Sequence, residues 1–452
     1  SSVFAGSIDY LSNQSAKYVM NAARTASTDG ADIVAYNPAG TALMGEGFFI
    51  DVSNQTLLKY YSQDVTYTGA PNNIAKDTYE QSTPTILLPN VYLAYNAGTV
   101  GIGNLAVYGQ AGVPAGGGSL SWDGVAGLVA TAAGFGAAAT SQVTSINCDA
   151  EGSSVYYAFG GGVAYSFLEN MFSVSAGAKY VMARRSTKIE GNIGYLHGGL
   201  GAWTLAIDTE YDYDAEGYTP VFGFDVKPMK ELTIGVRYEM ETDLEFEYDQ
   251  KTNSVTPSNL AFAALATGGT NMLNKDGLKD NLNLPQILSI GAEYVVTPEM
   301  TVGITANMFF LGNAKMEITS RSSTGVASTV DYSEYFGTGY EVAVAASYKV
   351  MEQLKIGATF MYTDQGAKDK LLKDQAVVNT TSSNPVLNST WIGLGAIYTV
   401  IPNLDITVAA GWVHYLPEKV DIATSASGTP IGTTKVEYSK EIYNIALGAS
   451  YK

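Results

Sequence analysis

Two basic side chains are the first candidates for chemistry in this chain of 452 residues, Lys179 and Arg237. Both fall on the polar parity of alternating segments, where a cation can meet a carboxylate. Arginine does so as a planar fork and lysine as a point charge. Arg237 has a competing role, neutralising the same-parity acids Glu239 and Glu241, and that is the preferred reading. A second charged set is the alternating acidic run Asp208, Glu210, Asp212, Asp214 and Glu216. It reads as a solvated strand extension or loop rather than a divalent-ion site. Covalent and metal chemistry find little material. There is no nucleophile elbow, and Gly116-Gly117-Gly118 lacks the lysine of a phosphate loop. His197 and His414 have no flanking constellation, and Cys148 is the one cysteine, so no intramolecular disulfide forms. No enzyme activity, metal or cofactor is expected. A net charge of −18 argues against nucleic acid as a partner.

The elements that must position these residues are long strands. In Leu232–Asp249, the even positions (Leu232, Ile234, Val236, Tyr238, Met240, Thr242, Leu244, Phe246, Tyr248) are apolar but for one, and the odd positions are polar or glycine throughout. A period of two over eighteen residues is a strand signal. It exceeds the ~9–11 residues needed to cross an outer membrane. The even face is therefore expected to meet lipid along its whole length. Composition agrees: hydrophobic residues make 46% and charged residues only 15%, under the ~25% usual for soluble domains. The longest uncharged run, between Asp123 and Asp149, is rich in Gly, Ala and Thr and does not read as a transmembrane helix.

From Phe48 onward the pattern repeats. Short turns are expected at Asn96-Ala97-Gly98, Leu168-Glu169-Asn170, Lys227-Pro228-Met229-Lys230, Thr297-Pro298-Glu299, Met351-Glu352-Gln353 and Ile401-Pro402-Asn403. An aromatic precedes each: Tyr95, Tyr165, Phe224, Tyr294, Tyr348 and Tyr398. Six turns join seven hairpins, which predicts an all-β chain of fourteen antiparallel strands closed into a transmembrane barrel over residues 46–452. Residues 1–45 do not alternate. They are read as a compact hatch (plug) inside the lumen, since their polar, turn-rich backbone cannot face lipid. Ser1 is read as lying near a mature N-terminus.

Apolar residues on the inward parity mark where an apolar cargo would touch: Val181, Phe309, Met361, Trp391, Val413 and Tyr415. Most lie about nine residues from the strand end beside a short turn, a rise of roughly 20 Å. Packing between wall and hatch is the competing role. Two loop stretches, Val125 to Ala139 and the one holding Leu260, Phe262 and Leu265, are apolar where the chain should face outside. They read as an external binding surface or as packing over the mouth. In Val100 to Gln110 the apolar parity slips at Gly103-Asn104. A β-bulge there, with Gly101 beside it, is the expected kink, and an unbroken strand is the alternative.

With Ala35-Tyr36-Asn37-Pro38-Ala39-Gly40 standing just before the strand Gly47-Phe48-Phe49-Ile50, the chain resembles the FadL family of outer-membrane long-chain fatty-acid transporters. The stretches Tyr218–Phe224 with Lys227-Pro228, Gly235–Tyr238 and Leu284–Ser289 carry the same likeness, which runs over essentially the whole chain. The resemblance implies a hatch motif at Asn37, Pro38 and Ala39 and capture of substrate by external loops. It also implies transfer to a lumenal pocket and lateral exit through a kinked third strand, here placed at Gly101, Gly103 and Asn104. The expected function is passive uptake of hydrophobic molecules, long-chain fatty acids first, by a monomer among outer-membrane lipids. Uptake of aromatic hydrocarbons and a plugged structural or adhesive barrel are the alternatives. The ending Tyr451-Lys452 departs from the terminal aromatic usual in such barrels.

Overall fold

Strands are stable in lipid only when every backbone N–H and C=O finds a partner. The computed structural model, which describes residues 13–69, 72–375, 382–426 and 429–452, meets that demand by closing on itself. Its wall has fourteen strands: β1 (Gly47–Gly69), β2 (Thr85–Val100), β3 (Gly103–Trp122), β4 (Ser141–Phe167), β5 (Phe172–His197), β6 (Gly201–Met229), β7 (Leu232–Glu239), β8 (Ile287–Val295), β9 (Met300–Phe309), β10 (Gly339–Met351), β11 (Leu354–Asp364), β12 (Ser389–Ile401), β13 (Leu404–Tyr415) and β14 (Thr429–Tyr451). Each pairs antiparallel with the next. The ring closes where β14 meets β1, from Ile50↔Tyr451 to Thr68↔Thr433. Shorter strands continue the wall beyond the membrane, among them Glu245–Pro257 on β6 and Glu418–Ala426 on β14.

Five of the six expected short turns fall at or within two residues of the stated positions. The first does not. β2 runs on through Asn96-Ala97-Gly98, where a bulge shifts the register between Asn96 and Thr99, and the chain reverses at Gly101-Ile102. Gly101 has φ +72°, a left-handed turn conformation that suits glycine. The Tyr165 hydroxyl fastens this turn, donating to Val100 O (2.8 Å) and accepting from Ile102 N (3.2 Å). The apparent parity slip at Gly103-Asn104 is therefore the change from one strand to the next. From Asn104 to Gly112 the third strand is not kinked, and Gly101, Gly103 and Asn104 form no exit.

The second correction is to Leu232–Asp249, and it follows from what lies outside the wall. Up to Tyr238 the even residues face lipid. Then the strand breaks, and Thr242, Leu244, Phe246 and Tyr248 are buried inside while Glu245, Glu247 and Asp249 face water. Seven steps of β6, from Val221 back to Asp214, lie opposite eight steps from Glu239 to Glu247. One inserted residue exchanges the two faces of a strand. In β6 itself the parity holds and the residue types change instead. The acidic run Asp208–Glu216 points outward into water, and Tyr218, Pro220, Phe222 and Phe224 continue the same face into lipid. Inward, Trp203, Leu205, Ile207, Tyr211 and Tyr213 give way to Thr219 and Asp225. Within the membrane the barrel is apolar outside and polar inside, and above it the order is reversed.

Residues 13–45 lie inside the wall and are almost wholly buried; the first twelve residues of the expected hatch lie outside the described residues. The helical part is short: α1 covers Ala16–Met20, capped by the Ser15 hydroxyl, and two 3-10 turns follow. Asn37 caps the second of these and reaches the wall. Its Nδ2 donates to Thr25 O (3.0 Å), Phe224 O (3.3 Å) and Asp225 Oδ1 (2.7 Å). Inward glycines admit the hatch, since a Cβ at Gly235 would run into the Thr25 carbonyl and one at Gly393 into that of Val19. Charges secure the rest. Arg24 bridges Asp29 (2.6 Å) and Asp32 (2.7 Å), Lys17 meets Asp51 of β1 (3.3 Å), and Lys355 of β11 meets Asp29 (3.5 Å). Burial works against the Asp29 carboxylate, yet Arg24, Lys355 and Lys17 hold its pKa well below the usual carboxylate range.

The outer end is closed differently. α2 (Ala126–Ala138) is built almost wholly of Ala, Gly, Val, Leu and Phe, and most of it is buried, while Thr131, Gly134, Phe135 and Ala138 form a face that is only half-buried or exposed. It packs within the mouth against Trp122, Tyr195, Ile422 and Tyr438. No helix among the described residues is long and apolar enough to cross a membrane.

Two outcomes are expected. Phe222→Arg places a charge at mid-height of the lipid face and lowers the free energy of unfolding from liposomes by ~2–4 kcal/mol. Glu210→Arg, in water on the same face, leaves it within about 0.5 kcal/mol in the same urea titration. Asn37→Ala strips four hydrogen bonds from the hatch, three made by Nδ2 and the cap bond that Oδ1 accepts from Ala39 N. Limited proteolysis should then cleave residues 13–45 several-fold faster, while the barrel keeps its heat-modifiable migration.

Candidate functional site

A cavity of about 110 Å³ lies between the hatch and the wall. The hatch contributes Asn13, Gln14, Tyr18, Ala22 and Tyr36. β2 and β3 add Asn90, Tyr92, Gln110, Gly112 and Pro114, and the far side is Lys179, Arg237, Glu239, Ile287, Phe309 and Glu341. A smaller space of about 40 Å³ is lined by Leu57, Met361, Trp391, Val413, Tyr415 and, again, Glu341. Tyr18 stands where the two meet. Its ring stacks on Tyr36 (5.0 Å) and leans on Trp391 (5.5 Å), and its hydroxyl reaches the Met361 sulfur at 3.8 Å.

Most of the candidate residues are thus brought to one level. Met361, Trp391, Val413 and Tyr415 share the smaller space, and Phe309 lines the larger. Val181 does not line either; it is buried in a core cluster with Tyr156, Ile287 and Phe309. Lys179 and Arg237 both face the larger cavity, and both are paired with Glu239. The neutralising role preferred for Arg237 is the one seen, but with Glu239 alone. Glu241 instead accepts from Asn283 Nδ2 (2.7 Å) and Lys315 N (3.0 Å). With Glu341 included, the Lys, Arg and Glu side chains on the cavity are two bases and two acids. Asn90 Nδ2 and Thr305 Oγ1 there, and Trp391 Nε1 in the smaller space, have no protein partner.

The external stretch divides. Phe262 stacks on Trp203 (4.0 Å) with its neighbour Leu265 half-buried against the same core, which is the packing role. Leu260 alone is exposed, at 84%. The run Val125 to Ala139 is α2 and its caps, inside the mouth rather than on a surface. Among the described residues no cluster of His, Cys, Asp and Glu could hold a metal ion.

The wall is interrupted where the cavity touches it. Pairing between β2 and β3 ends at Asn90↔Gly112. Pairing between β3 and β4 is continuous to Gly112↔Ala158, then keeps only Ala115↔Tyr156 before resuming at Gly118↔Ser154. Pro114 has no N–H to give a ladder, and Gly116 (φ +90°) and Gly118 (φ +69°) take left-handed conformations. Val113-Pro114-Ala115-Gly116-Gly117-Gly118 is thus the departure of the third strand, ten residues beyond Gly103. A proline within a would-be strand was its signal in the sequence. Glu341 and Tyr18 had no such signal, because nothing local to either residue tells that two spaces meet there.

Comparison with known proteins accords with this architecture. The family model described as outer membrane protein transport protein (OMPP1/FadL/TodX) matches residues 4–452. None of the curated protein sequences matches the chain. Among solved structures, a FadL homologue from Pseudomonas aeruginosa superposes with a TM-score of 0.65 at 16% identity, covering 97% of this chain and 98% of that one. The toluene transporter TodX of Pseudomonas putida gives 0.59 at 14% identity, covering 100% of both chains. The toluene transporter TbuX of Ralstonia pickettii gives 0.57 at 14%, covering 97% and 98%. A closed fourteen-strand barrel with an internal hatch, matched by the family model over nearly its whole length, places the chain in the FadL/TodX family of outer-membrane transporters of hydrophobic compounds.

Proposed function

We propose that this transporter carries small, uncharged hydrophobic molecules of about monoaromatic size passively, without chemistry and as a monomer, and releases them sideways through the third strand. The observation that carries the substrate class is the pairing of Lys179 and Arg237 on one carboxylate, Glu239. An acyl carboxylate would have to displace Glu239 to gain either cation, and removing one partner of a buried pair is costly. Size supports the same reading. A cavity of about 110 Å³ approaches the ~150 Å³ that takes a benzene and is short of room for an extended long acyl chain. TodX and TbuX are toluene transporters. Long-chain fatty acids are the second reading, favoured by the presence of two cations on the cavity at all.

The release route is supported by what closes the other ways out. The hatch is tied to the wall by the buried Lys17–Asp51 pair and the half-exposed Lys355–Asp29 pair, and α2 packs in the mouth. The cavity meets the wall at Gly112, the last residue paired with β2, and at Pro114, which is paired with neither neighbour. An apolar solute leaving there enters lipid without crossing water.

Cells lacking other transporters and expressing this barrel should take up labelled toluene several-fold faster than controls, with little gain for labelled palmitate; the reverse order would overturn the substrate class. Glu239→Gln frees both cations. Octanoate binding, followed by fluorescence of Trp391, should then tighten by about tenfold, ~1.4 kcal/mol, with toluene binding little changed. The route has its own test. Nothing lies within 4 Å of a Cβ built on Gly117. Gly117→Phe should therefore fill the opening without moving the fold, lowering uptake at least fivefold while lumenal binding of toluene persists. Unchanged uptake would exclude this exit.

A further inference from the structure

We infer that Lys59 is the positioning residue that holds the opening in the third strand, an inference that rests on the release route proposed above. Lys59 sits on the inward parity of β1 and is 2% exposed. Its ammonium donates to Gly117 O and Ser119 O, both at 2.6 Å. Among the described residues it has no carboxylate partner. Packing alone does not call for a buried ammonium, which is costly to desolvate; Leu or Met would fill the same space.

What lysine supplies is several donors on one point. Along a strand, carbonyls two residues apart project to the same edge. For Gly117 and Ser119 that edge is the one β2 has left, because β2–β3 pairing ends at Gly112 and β2 begins only at Thr85. Lys59 therefore stands in for the N–H groups of the missing strand. Thr85, the first residue of β2, adds a third donor, its hydroxyl lying 2.5 Å from Gly117 O. Asn13 of the hatch satisfies the next carbonyl, Gly116 O, at 2.7 Å. Three side chains from three directions fix the edge of the backbone that β2 no longer pairs with. Left without them, these carbonyls would turn to find other partners and the opening would lose its shape.

The test pairs geometry with transport. A nitroxide is placed at Gly117→Cys, with the buried Cys148 replaced by Ala, and its electron paramagnetic resonance line shape is read in liposomes. Toluene uptake is measured separately on the unlabelled variants. Lys59→Met, of similar length and without donors, should change the line shape toward a mobile component and lower uptake at least fivefold. Lys59→Arg, which keeps donors and charge, should restore both, and Thr85→Val should give a smaller change in the same direction. An unaltered line shape in Lys59→Met would overturn the inference. If that variant fails to insert, an unaltered line shape in Thr85→Val does so. A changed line shape with wild-type uptake would leave the positioning role standing and overturn the lateral route instead.

Discussion

The satisfaction of backbone polar groups in a place without water is the constraint on which this structure depends. A lipid-facing wall has no solvent to receive a stray carbonyl, so the strands close into a ring and the ladders run almost unbroken. A transporter that opens sideways must break the ladder, and the break then has to be solvated by the protein. Here the break is six residues long, and the carbonyls of Gly116 and Gly117 within it are taken by an ammonium from β1, a hydroxyl from β2 and an amide from the hatch. The proline and glycines of the segment supply what those partners cannot: a missing donor and the left-handed turns that bring the carbonyls inward. The opening is built in, and it is not a weak spot in an otherwise regular wall.

The same constraint explains the reversal of polarity along each long strand. At membrane height the lumen can be polar because the hatch fills it with partners, as Asn37 does for Phe224 O and Asp225. Above the membrane the outer face is wet and the lumen has no hatch. The inward face there turns to aromatics that pack on one another, Trp203 against Tyr195 and Phe262, and Tyr213 against Phe246 and Tyr248. β6 makes the change by composition, and its neighbour makes it by inserting a residue after β7. Both solutions keep lipid on apolar side chains and water on acids.

These two points separate what could be read in the sequence from what could not. Alternation, turn chemistry and aromatics beside turns are local, so the strand number, five of the turns and the hatch were legible. The inward apolar level was legible too, since Met361, Trp391, Val413 and Tyr415 follow from parity and distance from a turn. The face reversal after Tyr238 was not. Its sequence alternates without interruption, and only the pairing of β6 shows that one residue has been inserted. The kink was misplaced for a related reason. A parity slip at Gly103 looks the same whether it comes from a bulge or a turn, and Gly116-Gly117-Gly118 invites comparison with a phosphate loop, while Pro114 just before it is the residue that marks a break in a strand. Pairing of Lys179 with Glu239 joins two strands sixty residues apart, and no spacing in the chain announces it.

The three closures of the lumen are of different physical kinds, and that difference directs the cargo. At the inner end, charges are buried in pairs, and breaking one partner away from such a pair costs about 3–5 kcal/mol. Hatch displacement would have to break the buried Lys17–Asp51 pair, and with it the more exposed Lys355–Asp29 pair and the Ser27–Glu293 hydrogen bond. At the mouth the closure is apolar packing around α2, which carries no ionisable side chain. An apolar solute can replace one apolar contact with another there, so this barrier falls for the cargo and stands for ions. At the third strand the closure is neither packing nor pairing, because the ladder is absent and lipid lies beyond it. On the lateral route proposed above, an uncharged hydrophobic molecule meets its lowest barriers at the mouth and at the wall and its highest at the hatch. A hydrated ion meets the opposite order at the wall, where the surrounding lipid excludes it. Selectivity for apolar cargo in this protein follows from where each kind of closure sits, before any contact in the cavity is considered.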